Sequence, residues 1–193
     1  GDDHLHGDLN HAIRAIQELS GDPQAAKCRG IHHVPETTGH NVMFFDLTTQ
    51  LAWNPDGLTL EDYLRSYTRR RYGEAALREM LPAVKAVVRA VYLGGGALPI
   101  YKKLGCPYGP HEWWPIVDDR AVANDGYDPL PGSIRDLREA VRIALACRDT
   151  HKDNALFVND LVDWTRTYLA HVFNWAVLDA YRAFKQGDVE RVK

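Results

Sequence analysis

Most of the chain carries apolar residues at steps of three and four, the spacing of one helix face. Asp8 is placed to cap a helix from about Leu9 to Leu19, with Ile13, Ile16 and Leu19 on one side, and Gly21-Asp22-Pro23 ends it. One stretch departs from this period. Gly30-Ile31-His32-His33-Val34 is a short apolar and β-branched run halted by Pro35, and it predicts a strand. Behind the proline stands a lone carboxylate, Glu36, followed by Thr37, Thr38 and Gly39. From Asn41 to Trp53 the apolar positions Val42, Phe45, Leu47, Leu51 and Ala52 return to helical spacing, and Asn54-Pro55-Asp56-Gly57 is a turn signal.

The remaining segments read as helices with marked starts and stops. Thr59-Leu60-Glu61-Asp62 resembles a capping box: Thr59 accepts from the amide three residues on, and Asp62 reaches back. Tyr63, Leu64, Tyr67 and Tyr72 give that helix a buried side, Arg69-Arg70-Arg71 fill its last turn, and Gly73 breaks it. Glu74 to Leu93 predicts a further helix with the stripe Ala76, Met80, Val84, Val87 and Val91, kinked at Pro82. Gly94-Gly95-Gly96 stops it and is no phosphate loop, because no Gly-Lys-Ser/Thr follows and the run trails a helix. Ser133 to Asp136 opens another capped helix to about Ala146, buried through Ile134, Leu137, Val141 and Leu145. The last and longest helix is expected from about Asp153 to Lys185, with Phe157, Leu161, Trp164, Tyr168, Val172 and Trp175 as a core stripe and Gly187 as its stop. No period repeats. The fold class is therefore mainly α, a set of antiparallel helices behind one strand–loop–helix unit.

Composition narrows the classes of function. With 193 residues the chain is long enough to bury a real core. A net charge of −3 and a pI near 6.3 disfavour a general nucleic-acid or anionic-membrane surface. No apolar run approaches the roughly 18 residues a membrane helix needs. Cys28, Cys106 and Cys147 are odd in number and far apart, so they form no disulfide framework.

Three features carry candidate chemistry. Glu36, on a loop between a strand and a helix, stands where α/β enzymes present a catalytic group; a turn or capping role is the plainer reading. The segment Ala97–Gly132 is dense in Pro, Gly and aromatics, including Tyr101, Tyr108, Trp113, Trp114 and Tyr127. A loop this long is functional or a linker, and its aromatics argue against a linker. Aromatic rings suit a sugar-binding cleft, since the apolar faces of a pyranose pack on them, although Trp113 and Trp114 would equally anchor the loop to the core. Six of nine histidines lie in the first forty residues: His4, His6, His11, His32, His33 and His40. With Asp2, Asp3, Asp8 and Glu36 they offer zinc ligands, but no HExxH or Cys-pair spacing is present. On a strand His32 and His33 would also point to opposite faces, so lining a polar pocket is favoured over a metal site. The arginine triplet interacts favourably with its helix C-terminus or, on the functional reading, makes an anion site.

Five segments, in order, resemble the α-N-acetylglucosaminidases, glycoside hydrolase family 89. Gly1 to Leu9 (Gly-Asp-Asp-His-Leu-His-Gly-Asp-Leu) is similar to the family's Gly-Gly-Asn-x-Gly-Leu-x-Gly segment, and Gly30 to Thr37 resembles Gly-x-Gly-Met-x-Pro-Glu-Gly. Asn41 to Leu47, continuing to Trp53, resembles the helix that follows. Tyr67 to Gly73 resembles Tyr/Phe-Ala-x-Arg-Arg-Tyr-Gly, and Asp160 to Arg166 matches Asp-Leu-x-Asp-x-Thr-Arg. Departures fall beside the acid: Thr37 replaces a glycine, and His32-His33 replace small and Met residues.

The resemblance implies part of a larger enzyme: residues 1–57 as the end of a catalytic (β/α)8-like barrel and 58–193 as the front of an all-α domain, with both ends truncated. It implies a retaining hydrolase releasing terminal α-linked N-acetylglucosamine from glycans, in a secreted, periplasmic or lysosomal setting. Glu36 matches the nucleophile. His32, His33, His111, Trp113 and Trp114 are the expected substrate-binding residues. The general acid lies in an earlier barrel segment, so the chain alone is expected to be inactive. Its partners are the glycan and the remainder of the barrel, and no cofactor is implied. Two other classes stay open: a non-catalytic helical carbohydrate-binding or interaction module with Glu36 as a turn residue, and a metal-dependent hydrolase if three of the early His and Asp side chains converge.

Overall fold

The computed structural model describes residues 5, 7–25, 27–33, 41–93, 132–188 and 190. Among them the regular structure is helical and no strand occurs. The order is α1 (Leu9–Gly21), a 3-10 turn (Pro23–Ala25), α2 (Val42–Trp53), α3 (Leu60–Tyr72), α4 (Leu77–Val91), α5 (Gly132–Ala146), α6 (Arg148–His151) and α7 (Ala155–Gln186). Residues 30–33 of the stretch expected to form a strand have no regular secondary structure, and Val34 lies outside the described residues. A strand needs a neighbour to complete its ladder, and no described residue supplies one.

Helix starts follow the side chains that satisfy free amides. Asp8 accepts from the His11 amide at 2.8 Å. Thr59 accepts from the Asp62 amide at 3.1 Å, and Asp62 reaches back to the Thr59 hydroxyl. The cap of α7 is Asn154, one residue past the expected start. Its Oδ1 accepts from the amides of Leu156 and Phe157, while its Nδ2 donates to the Arg71 carbonyl at 3.0 Å. An aspartate at that position would lack the donor. Helix α4 begins at Leu77, after a turn over residues 74–76 with no side-chain cap. Pro82 sits inside it on the exposed face.

Helix α4 is the centre of the core. Met80, Ala83, Val84, Ala86 and Val87 are fully buried, and the helix packs most extensively on α5 and then on α3. Alanines are buried on both sides of the first contact, Ala83 and Ala86 on α4 and Ala140 and Ala144 on α5, so the two axes can lie close together. Tyr63, Leu64, Tyr67 and Tyr72 are buried as their spacing predicts. Leu145 is not: it is 51% exposed, and Ala144 takes the inward position next to it. Leu19, Val42 and Ala52 also face outward. On α7, Phe157 and Trp164 are buried, whereas Leu161, Tyr168, Val172 and Trp175 are only half-buried. The buried cluster runs without a break from Leu9, Ile13, Met43, Leu47 and Leu51 into Tyr63, Met80 and Val84.

Each arginine of the triplet meets its own carboxylate. Arg69 pairs with Glu74 and Arg70 with Asp46 (2.6 Å), both toward solvent. Arg71 turns inward and grips Asp160 of α7 in a two-pronged pair, Nη2 to Oδ1 at 2.6 Å and Nε to Oδ2. The Tyr72 hydroxyl donates to the same Oδ2, and the Arg71 guanidinium lies over the Tyr67 ring, 5.5 Å from its centroid. Burial works against the Arg71 cation, but the Asp160 hydrogen bonds and the neighbouring tyrosines outweigh it and hold the arginine above its usual range. Only 13% of the Arg71 side chain and 11% of Asp160 is exposed. Removing one partner of such a pair leaves a buried charge at a cost of about 3–5 kcal/mol, against about 0–1 kcal/mol for an exposed pair. Asp160→Ala should therefore lower the urea midpoint far more than Asp46→Ala; equal effects in the two denaturation curves would contradict the assignment.

Candidate functional site

Two described residues bound the segment that carries Glu36, and each is anchored to a different helix. On the entry side, His33 Nε2 lies 2.8 Å from the Thr48 hydroxyl of α2, and its ring packs 5.0 Å from that of Phe45. Thr48 has one hydroxyl hydrogen and gives it to the Phe44 carbonyl at 2.9 Å, so its oxygen accepts from His33 Nε2–H. Hence His33 points onto α2 while its neighbour His32 is exposed.

On the exit side, Asn41 is buried in a left-handed conformation (φ 37°), unusual for a residue with a side chain. Its carbonyl accepts from the Phe44 and Phe45 amides and so starts α2. Its Oδ1 accepts from the Tyr92 hydroxyl at 2.6 Å. Burial, reinforced by Tyr67, Asp163 and Asp160, raises the Tyr92 phenol well above its usual range, which keeps it a donor. The Tyr92 carbonyl accepts from the Leu9 amide at 3.1 Å. One residue at the end of α4 thus ties down both the segment before α1 and the segment before α2.

Close packing supports this junction. Gly7 has φ 139°, and a Cβ there would stand 2.8 Å from the Phe44 ring. A cavity of about 20 Å³ lies between Leu5, Met43, Tyr67, Tyr92, Asp160 and Trp164. That is room for about one water and not for a sugar. A larger surface groove of about 340 Å³ runs between the second half of α1 and the end of α2, lined by Ile16, Leu19, Arg29, Ile31 and Leu51. The backbone of residues 29–33 beside it makes no ladder hydrogen bond to a described residue.

Glu36, His111, Trp113 and Trp114 lie outside the described residues. Of the early acids and histidines, His11, His32, His33 and Asp8 are described, and no three potential ligands converge among the described residues. No helix of the described residues is long and apolar enough to cross a membrane. Cys28 and Cys147 are free thiols, and burial together with Glu79 pushes the Cys147 thiol up.

The family model described as alpha-N-acetylglucosaminidase (NAGLU) C-terminal domain matches residues 63–193. The chain belongs to this α-N-acetylglucosaminidase family, and the matched helical part is its C-terminal domain. The match begins at Tyr63, so the Glu36 segment precedes it. No curated protein and no solved structure matches the chain.

Sequence reasoning did not single out Tyr92, whose polar role depends on a contact 51 residues away in the chain. The one available signal was Asn41, a residue type that tolerates the left-handed region. For the entry side, Thr48→Val should remove the acceptor for His33 and cost about 1 kcal/mol in denaturation experiments. Ring nitrogen shifts should show neutral His33 protonated at Nε2 in the parent; protonation at Nδ1 alone would contradict the assignment.

Proposed function

We propose that the chain forms part of a retaining glycosidase that releases terminal α-linked N-acetylglucosamine, with Glu36 as its nucleophile. Family membership supports the activity, and the observation that carries the residue assignment is the anchoring of the Glu36 segment on both flanks. A nucleophile must be held close to its attack geometry, and His33 on α2 and Asn41 on Tyr92 hold the two roots of a seven-residue segment. Glu36 attacks the anomeric carbon, the bond to the leaving oxygen breaks, and water hydrolyses the glycosyl ester. A second carboxylic acid about 5 Å away protonates the leaving oxygen and later takes a proton from the water. In this reading residues 1–57 close the catalytic barrel, residues 58–193 are the helical domain against it, and the second acid comes from the remainder of the barrel. The chain alone is then inactive.

The surface is consistent with such a partner. Leu19 and Ile31 are exposed along the α1–α2 groove, and Trp53, the last residue of α2, is 87% exposed. Apolar surface next to backbone open to pairing suits a covering strand and helix. His32, with its side chain free of the α2 contact that holds His33, is assigned with His111, Trp113 and Trp114 to the sugar pocket.

The test uses the glycosidase that contains this chain and 4-nitrophenyl N-acetyl-α-glucosaminide. Glu36→Gln should lower kcat by on the order of 10³-fold or more while the fold survives. Azide added to Glu36→Ala should yield the β-glycosyl azide, because it fills the position of the missing nucleophile. Unchanged turnover in Glu36→Gln would remove Glu36 as nucleophile, and no activity in either protein would favour a non-catalytic carbohydrate-binding module.

A further inference from the structure

We infer that Tyr92 is a positioning residue for the reaction, acting through Asn41 to fix the exit of the Glu36 segment; this rests on the glycosidase reading above. Tyr92 is 1% exposed and caps the C-terminal end of α4. Its ring needs no hydroxyl to fill that space. The hydroxyl has a specific use, a 2.6 Å bond to the side chain of a residue in the left-handed conformation. Asn41 gives no side-chain cap to α2, because its carboxamide oxygen is turned to Tyr92 instead. Without the tyrosine hydroxyl that buried oxygen loses a short hydrogen bond, and the left-handed turn loses a restraint that offsets its steric cost.

The same residue holds Leu9 through its carbonyl, independently of its side chain. A change at the hydroxyl is therefore felt on the Asn41 side alone. This separates positioning from general stability: the phenyl ring and the Leu9 bond survive in Tyr92→Phe, and only the Asn41 bond is lost. Both partners of the bond are buried, so its loss should act on kcat and leave KM in place.

Two measurements test this together. In the 193-residue chain, Tyr92→Phe should speed hydrogen exchange at the Phe44 and Phe45 amides, which bond to the Asn41 carbonyl at 2.9 and 3.1 Å, and leave α3 unchanged. In the glycosidase, Tyr92→Phe should lower kcat about 10–100-fold with KM little changed. Asn41→Gly keeps the left-handed backbone and should reproduce both effects, and the double variant should be no worse than either single one. Unaltered exchange at both amides, or a lower melting temperature with kcat intact in an enzyme that depends on Glu36, would overturn the inference. If Glu36→Gln leaves turnover unchanged, the Glu36 assignment fails on its own, and the exchange data still decide whether Tyr92 holds Asn41.

Discussion

The bidentate pair between Arg71 and Asp160 is the interaction on which the bundle depends. It joins the last turn of α3 to the first turns of α7 across 89 residues of sequence. A desolvated carboxylate is tolerable only with full hydrogen bonding, and Asp160 has three donors: two from Arg71 and the hydroxyl of Tyr72. The Tyr72 phenol is raised well above its usual range by burial and by Asp160, which keeps it a donor. Asn154 adds a second tie between the same two helices through the Arg71 carbonyl. With α3 and α7 so fixed, α4 and α5 fill the interior with small and β-branched side chains.

That frame positions the candidate site without forming it. Tyr67 and Asp160 of the ion-pair cluster line the same small cavity as Tyr92, Met43 and Leu5. The cluster and the roots of the Glu36 segment are thus neighbours in one packed region.

Helix existence and inward faces were legible in the sequence because they depend on local period and on capping residues such as Asp8 and Thr59. Errors arose where one residue's rotation decides burial, as with Leu145 beside Ala144, or where a cap is chosen by a distant partner, as with Asn154 and the Arg71 carbonyl. The arginine triplet shows the same limit. Its charge and position at a helix end were evident, but only the fold reveals that Arg71 turns inward while Arg69 and Arg70 pair in solvent. The strand expected at Gly30–Val34 depends on neighbours that the described residues do not include. The resemblance to the family came from motifs, not periodicity, and the helical part of it is the part the family match covers.

The most direct test of the central claim is to trap the covalent intermediate. The glycosidase containing this chain would be treated with a fluorinated N-acetylglucosaminyl fluoride, whose fluorines slow hydrolysis of the glycosyl-enzyme, then digested and sequenced by mass spectrometry. An N-acetylglucosaminyl-type adduct on Glu36 is the predicted result. An adduct on another carboxylate of the enzyme would contradict the account.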